Sequence, residues 1–123
     1  MQPTPCKVLV VDDDEDLREA LAEALRSAGM QVDQAADGKE ALERMMSGEM
    51  PDVILLDMHM PTVDGAQLLD RLRLTPGGHK ARVILLTADT SARMMRFASE
   101  AKLLQKPIDL DELEAAVKDA CAA

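Results

Sequence analysis

Val8-Leu9-Val10-Val11-Asp12-Asp13 is a run of four apolar, mostly β-branched residues that passes without a break into two carboxylates. The pattern recurs at Val53-Ile54-Leu55-Leu56-Asp57 and Val83-Ile84-Leu85-Leu86-Thr87, and more weakly at Leu103-Leu104-Gln105-Lys106-Pro107. Continuous apolar runs suit strands buried on both faces, where alternation is not required, and Val and Ile fit a pleated surface. Met30-Gln31-Val32 predicts one further, weaker strand.

Between these runs the apolar period changes to that of a helix. Leu17, Leu21 and Leu25 with Ala20, Ala24 and Ala28 form one stripe, opposite Arg18, Glu19, Glu23 and Arg26. Gly29 supplies the stop. A second helix is predicted from about Asp37-Gly38 through Ala41, Leu42, Met45 and Met46 to Ser47-Gly48, and a third from Asp64-Gly65 through Leu68, Leu69 and Leu72 to the break at Pro76-Gly77-Gly78. A fourth spans Ser91 to Glu100 and carries Phe97, the only aromatic residue. The fifth opens with Asp109 as cap and Glu112 three residues on, then buries Leu110, Leu113, Val117 and Cys121.

Strict β-α alternation predicts an α/β fold: a doubly wound, five-stranded parallel sheet with helices on both faces. With the weak second strand at an edge, the order is 2-1-3-4-5 and the switch point falls between strands 1 and 3. The length of 123 residues predicts a single domain spanning 1–123. No apolar stretch approaches the ~20 residues a membrane helix needs, and the N-terminus has no signal-peptide pattern, which predicts a cytoplasmic protein. A formal charge of −9 repels nucleic acid and anionic membranes, so neither is expected as a direct partner. Cys6 and Cys121 have no metal or redox spacing and read as small core thiols.

In such a sheet the strand ends gather Asp12, Asp13, Asp57, Thr87 and Lys106 at one rim. Neighbouring strands lie ~4.8 Å apart, close enough for a long lysine stem on strand 5 to cross strand 4. Two carboxylates about 4 Å apart repel by roughly 4 kcal/mol in a partly screened environment, and a hard divalent cation such as Mg²⁺ offsets that. One aspartate could then act as a carboxylate nucleophile toward phosphorus. Thr87 would hydrogen-bond the transferred group, and Lys106 would supply a positive charge. Plainer roles are open for some of these residues. Asp12, Asp13 and Asp14 could cap the first helix, and Lys106 before Pro107 could punctuate a loop. Asp57 caps nothing evident, because Asp64 is placed to cap the next helix. His59 has no second His or Cys spaced to join it as a metal ligand, and His79 reads as solvated.

Taken together, Val10-Val11-Asp12-Asp13, Asp57-Met58-His59-Met60-Pro61-Thr62-Val63-Asp64-Gly65, Thr87-Ala88 and Lys106-Pro107 resemble the receiver domains of two-component response regulators, including the single-domain chemotaxis type. The resemblance runs from Lys7 to about Ala120 and implies the flavodoxin-like (βα)5 receiver fold. It also implies that Asp57 is the phosphoacceptor, charged by a sensor histidine kinase, a histidine phosphotransfer domain or acetyl phosphate. Asp12, Asp13, Asp57 and the backbone carbonyl of His59 would hold Mg²⁺. Thr87 and Lys106 would contact the phosphoryl group, His59 and Asp89 would modulate hydrolysis, and the Lys106-Pro107 bond would be cis. Such a domain signals to a downstream protein partner; it is no enzyme beyond catalysing its own phosphorylation and dephosphorylation.

The family's switch couples the threonine to an aromatic ring on strand 5, and here that position is Leu103, so the output motion is expected to differ. Ile108 and Lys102 also depart from the family pattern on the same face. Three competing readings have discriminating features. A degenerate receiver would bind partners without phosphorylation. A small aspartyl-nucleophile phosphatase would place a carboxylate two residues after the nucleophile, where His59 stands. A flavodoxin-like cofactor carrier would offer backbone N–H groups to phosphate after strand 1, where Asp12-Asp13-Asp14-Glu15-Asp16 would repel it.

Overall fold

The computed structural model describes residues 5–47, 50–58, 65–75, 80–88 and 101–122. Its elements are β1 (Lys7–Val11), α1 (Glu15–Ser27), β2 (Gln31–Ala35), α2 (Gly38–Ser47), β3 (Val53–Asp57), α3 (Gly65–Leu74), β4 (Arg82–Thr87), β5 (Lys102–Gln105) and the C-terminal helix α4 (Leu110–Ala122). The five strands are parallel in the order β2-β1-β3-β4-β5, as the sequence pattern predicts. The segment Ser91 to Glu100, expected as a helix, lies outside the described residues.

Burial follows the apolar runs. All five residues of β3 and four of the five in β1 are buried, whereas β2 at the edge is buried only at Val32 and Ala35. One layer of core joins Val8, Val10, Leu55, Ile84 and Leu86 to Leu21, Ala22 and Leu25 of α1 and to Leu113, Ala116 and Val117 of α4. The other joins Leu9, Val11, Ile54, Leu56 and Leu85 to Ala41 and Met45 of α2 and to Leu68, Leu69 and Leu72 of α3. Leu103 is partly buried against this second layer, and Ile108 against the first. Alternate residues of each central strand therefore face opposite helix pairs, which is the physical reason the runs are continuous in sequence. Burying a leucine of this core stabilises the fold by about 2 kcal/mol, and there are enough of them to hold a domain of this length.

Local chemistry sets the helix ends. Asp14 caps α1, its Oδ1 accepting the Leu17 N–H at 3.2 Å, and Gly29 takes the left-handed conformation, φ 93°, just past the end. Asp37 caps α2 by accepting the Glu40 N–H at 2.8 Å while Glu40 Oε2 accepts the Ala36 N–H at 3.2 Å. Asp109 Oδ1 accepts the N–H groups of Asp111 and Glu112 at the start of α4, as its spacing predicts.

Four expectations about side chains need correction. The buried face of α1 is rotated toward Ala22 and leaves Ala20 exposed. Met46 is 76% exposed and Leu110 48% exposed. Met46 follows Met45 by one residue, which turns it about 100° off the buried stripe, and Leu110 lies in the first turn of α4. Cys6 and Cys121 are not free thiols: they form a disulfide, with Cα atoms 5.9 Å apart. Cys6 precedes the first residue of β1 and Cys121 lies in the last turn of α4, so parallel winding brings both to the same end of the molecule.

Candidate functional site

The acidic loop after β1 is fixed by its own backbone. The Asp12 N–H donates to the Ala35 carbonyl of β2 at 3.1 Å, and Asp12 Oδ1 accepts the Asp14 N–H at 2.9 Å. Because Asp14 performs the capping, Asp12 and Asp13 are not needed for it. Arg18, one turn into α1, donates from Nη1 to the Asp12 carbonyl oxygen at 2.9 Å and from Nε to Gln34 Oε1 at 3.1 Å. This clamp between α1, the Asp12 backbone and β2 was not foreseen from sequence, where Arg18 reads only as part of a polar helix face. Its one sequence signal is an arginine two residues after the acidic run Asp12 to Asp16.

Asp57 closes β3 and is 3% exposed. In register it pairs with Leu86, and Thr87, also buried, closes β4 one position further on. Lys106 follows β5; its N–H donates to the Thr87 carbonyl at 2.8 Å and its Nζ stands 3.2 Å from Asp57 Oδ1. The lysine stem thus crosses β4 to reach β3. The Lys106-Pro107 peptide bond is cis. Asp12, Asp13 and Asp57 present carboxylate oxygens within 4.8 Å of one another, with Asp12 and Asp57 buried and Asp13 exposed. His59 and Asp89 lie outside the described residues.

Among the described residues, three carboxylates stand against one ammonium. Burial pushes the Asp12 carboxyl up from 3.8 to about 6; the Asp57 and Asp13 charges add to that push, while the Asp14 N–H and Lys106 oppose it. Asp12 Oδ2 is buried with no hydrogen-bond partner. A buried, unsatisfied anionic oxygen is costly on its own. An oxygen-seeking divalent cation would satisfy it and relieve the repulsion, and the donor set, all oxygen and partly open to solvent through Asp13, suits Mg²⁺. A phosphoryl group beside the same carboxylates would be held by the Lys106 ammonium.

A doubly wound sheet whose switch-point rim carries carboxylates, a hydroxyl and a lysine defines a class of domain that handles metal and phosphoryl groups. The chain belongs to the response regulator receiver domain family, whose model matches residues 8–118. It is 38% identical over 115 residues to sporulation initiation phosphotransferase F of Bacillus subtilis, covering 91% of this chain and 90% of that protein. Among solved structures, it resembles chemotaxis protein CheY4 of Vibrio cholerae with a TM-score of 0.87 and 28% identity, over 95% of this chain and 99% of that one. It also resembles response regulator TrrA of Thermotoga maritima in complex with Mg²⁺ and BeF, with a TM-score of 0.81 and 34% identity, over 94% and 98% of the two chains. Against response regulators named MprA it spans about half of the relative's length, 49% for that of Mycolicibacterium vanbaalenii. The chain is therefore a phosphoacceptor signalling domain of two-component systems. Domains of this family work with histidine kinases or phosphotransfer proteins and are not enzymes in the ordinary sense. No helix among the described residues is long and apolar enough to cross a membrane.

Proposed function

We propose that Asp57 is the phosphoacceptor and that Asp12, Asp13 and Asp57, with the His59 backbone carbonyl, hold Mg²⁺ during transfer. The observation that carries this reading is the convergence at Asp57: a buried carboxylate in contact with Lys106 Nζ, beside the unsatisfied Asp12 Oδ2. An Asp57 carboxylate oxygen attacks the phosphorus of a phosphohistidine. The new O–P bond forms as the N–P bond breaks, and the imidazole of the donor leaves with the electron pair. Lys106 neutralises an oxygen of the transferred group, and Thr87 donates a hydrogen bond to another. The cation supplies positive charge and orientation for carboxylates and phosphoryl oxygens that would otherwise repel.

The donor is a sensor histidine kinase, a phosphotransfer protein or acetyl phosphate, and the product is an acyl phosphate that changes binding of a downstream protein. His59 and Asp89 tune its hydrolysis, and Thr87 with Leu103 forms the switch. Leu103, partly buried against the core beside β4, has no ring to turn inward, so the output rests on smaller side-chain shifts. We place the domain in the cytoplasm, acting as a single receiver unit over 1–123, with catalysis confined to its own phosphorylation and dephosphorylation. Intact mass after incubation with acetyl phosphate tests this: the reading requires a gain of one phosphoryl group with Mg²⁺, none with EDTA and none in Asp57→Asn. Equal labelling of Asp57→Asn would overturn the nucleophile assignment.

A further inference from the structure

Cys6 and Cys121 lie 115 positions apart, at the end of the sheet opposite the acidic rim, and neither takes part in the chemistry around Asp57. Both are only partly buried, packed on the edge of the core layer that contains Val8, Val10, Leu113 and Val117. That layer is complete without the bond, because Leu113, Ala116 and Val117 already fix α4 to the sheet. The pair therefore lies at the margin of the core, and apolar contacts besides the bond hold α4 to the sheet. A cross-link that closes nearly the whole chain also acts strongly on the unfolded state.

We propose that Cys6 and Cys121 form a thiol–disulfide exchange site that takes a low-molecular-weight disulfide as oxidant and, when oxidised, latches the last turn of α4 to the start of β1. The thiolate of one cysteine attacks a sulfur of the oxidant, and that S–S bond breaks to release one small thiolate. The second protein thiolate then attacks the protein-side sulfur of the mixed disulfide and expels the other. Two protein thiols are oxidised, one small disulfide is reduced, and the two protons pass to the leaving thiolates. In a reducing compartment the latch stands open and it closes under oxidative conditions, which is the usual use of a reversible disulfide inside cells. α4 begins directly after Lys106-Pro107-Ile108-Asp109, so the latch restrains the far end of the helix that follows the phosphoryl-sensing lysine.

The test uses the full chain in glutathione buffers of rising oxidised-to-reduced ratio, quenched with a maleimide and read by intact mass. Both maleimide adducts should disappear together, leaving a mass short by two hydrogens and no retained glutathione. The oxidised form should melt at least about 5 °C above the reduced form. Trypsin cleavage after Lys118, an exposed residue one turn before Cys121, should be several-fold slower in the oxidised form. Cys121→Ser should melt at the same temperature in every buffer. Two maleimide adducts at the most oxidising ratio, a stable glutathione adduct on one cysteine, or unchanged melting and cleavage in the oxidised form would each overturn the proposal.

Discussion

Asp12→Asn should stabilise the metal-free protein. Burial pushes the Asp12 carboxyl from 3.8 up to about 6 in the folded state, a difference equivalent to about 3 kcal/mol. The direction follows from linkage: above pH 6 the folded protein carries a buried anion that the unfolded chain holds at no cost. Below about pH 4 both states are protonated and the penalty is gone. Asparagine keeps an oxygen for the Asp14 N–H, now accepted by Asp12 Oδ1, and removes the charge. At pH 7.5 in EDTA the variant should gain about 1–3 kcal/mol, or roughly 4–12 °C in Tm, and the gain should shrink toward zero near pH 4. Mg²⁺ should reverse the order, because the wild type gains binding free energy that the variant has lost. Urea unfolding followed by far-UV circular dichroism suits a chain without Trp or Tyr. A variant no more stable than wild type at pH 7.5, or one with the same advantage at pH 4 as at pH 7.5, would refute the reasoning.

The same titration should govern binding at the proposed metal site. With Asp12 as the proposed ligand, Mg²⁺ should compete with its proton, and calorimetry should show affinity falling about tenfold between pH 7.5 and pH 5. Lys106→Met removes the charge 3.2 Å from Asp57, and labelling by acetyl phosphate should slow by about 10²-fold, measured as the rate of mass gain, with the fold retained. Arg18→Met breaks the hydrogen bonds to the Asp12 carbonyl and Gln34, and should cost about 1–3 kcal/mol in urea unfolding.

Much of this molecule is readable from its strands. Val53-Ile54-Leu55-Leu56 is buried on both faces because two helix pairs cover the sheet, and an unbroken apolar run records that directly. The same reading carries Asp57 and Asp12 to one rim, since each is the first polar residue after the apolar run of a central strand. Legibility declines where the answer depends on which turn of a helix meets the sheet. The stripe through Leu17, Leu21 and Leu25 is correct in kind, yet the buried side lies toward Ala22, a choice periodicity leaves open between small residues. Leu110 continues the spacing of Leu113 and Val117 but stands in the terminal turn, where spacing does not imply cover. The Cys6–Cys121 bond was invisible because no local pattern links positions 115 apart. Only the closed winding of the fold sets the start of β1 beside the end of α4. The Arg18–Gln34 contact is hidden for the same reason, joining a helix to an edge strand.

The most direct test is the chemical identity of the phosphorylated residue. After reaction with acetyl phosphate and Mg²⁺, borohydride reduces an acyl phosphate to an alcohol, and fragmentation of the digested protein locates the residue changed. Conversion of Asp57 to homoserine, dependent on Mg²⁺, is the expected result. Conversion at Asp12 or Asp13, or a phosphate that borohydride leaves untouched on a histidine or serine, would contradict it.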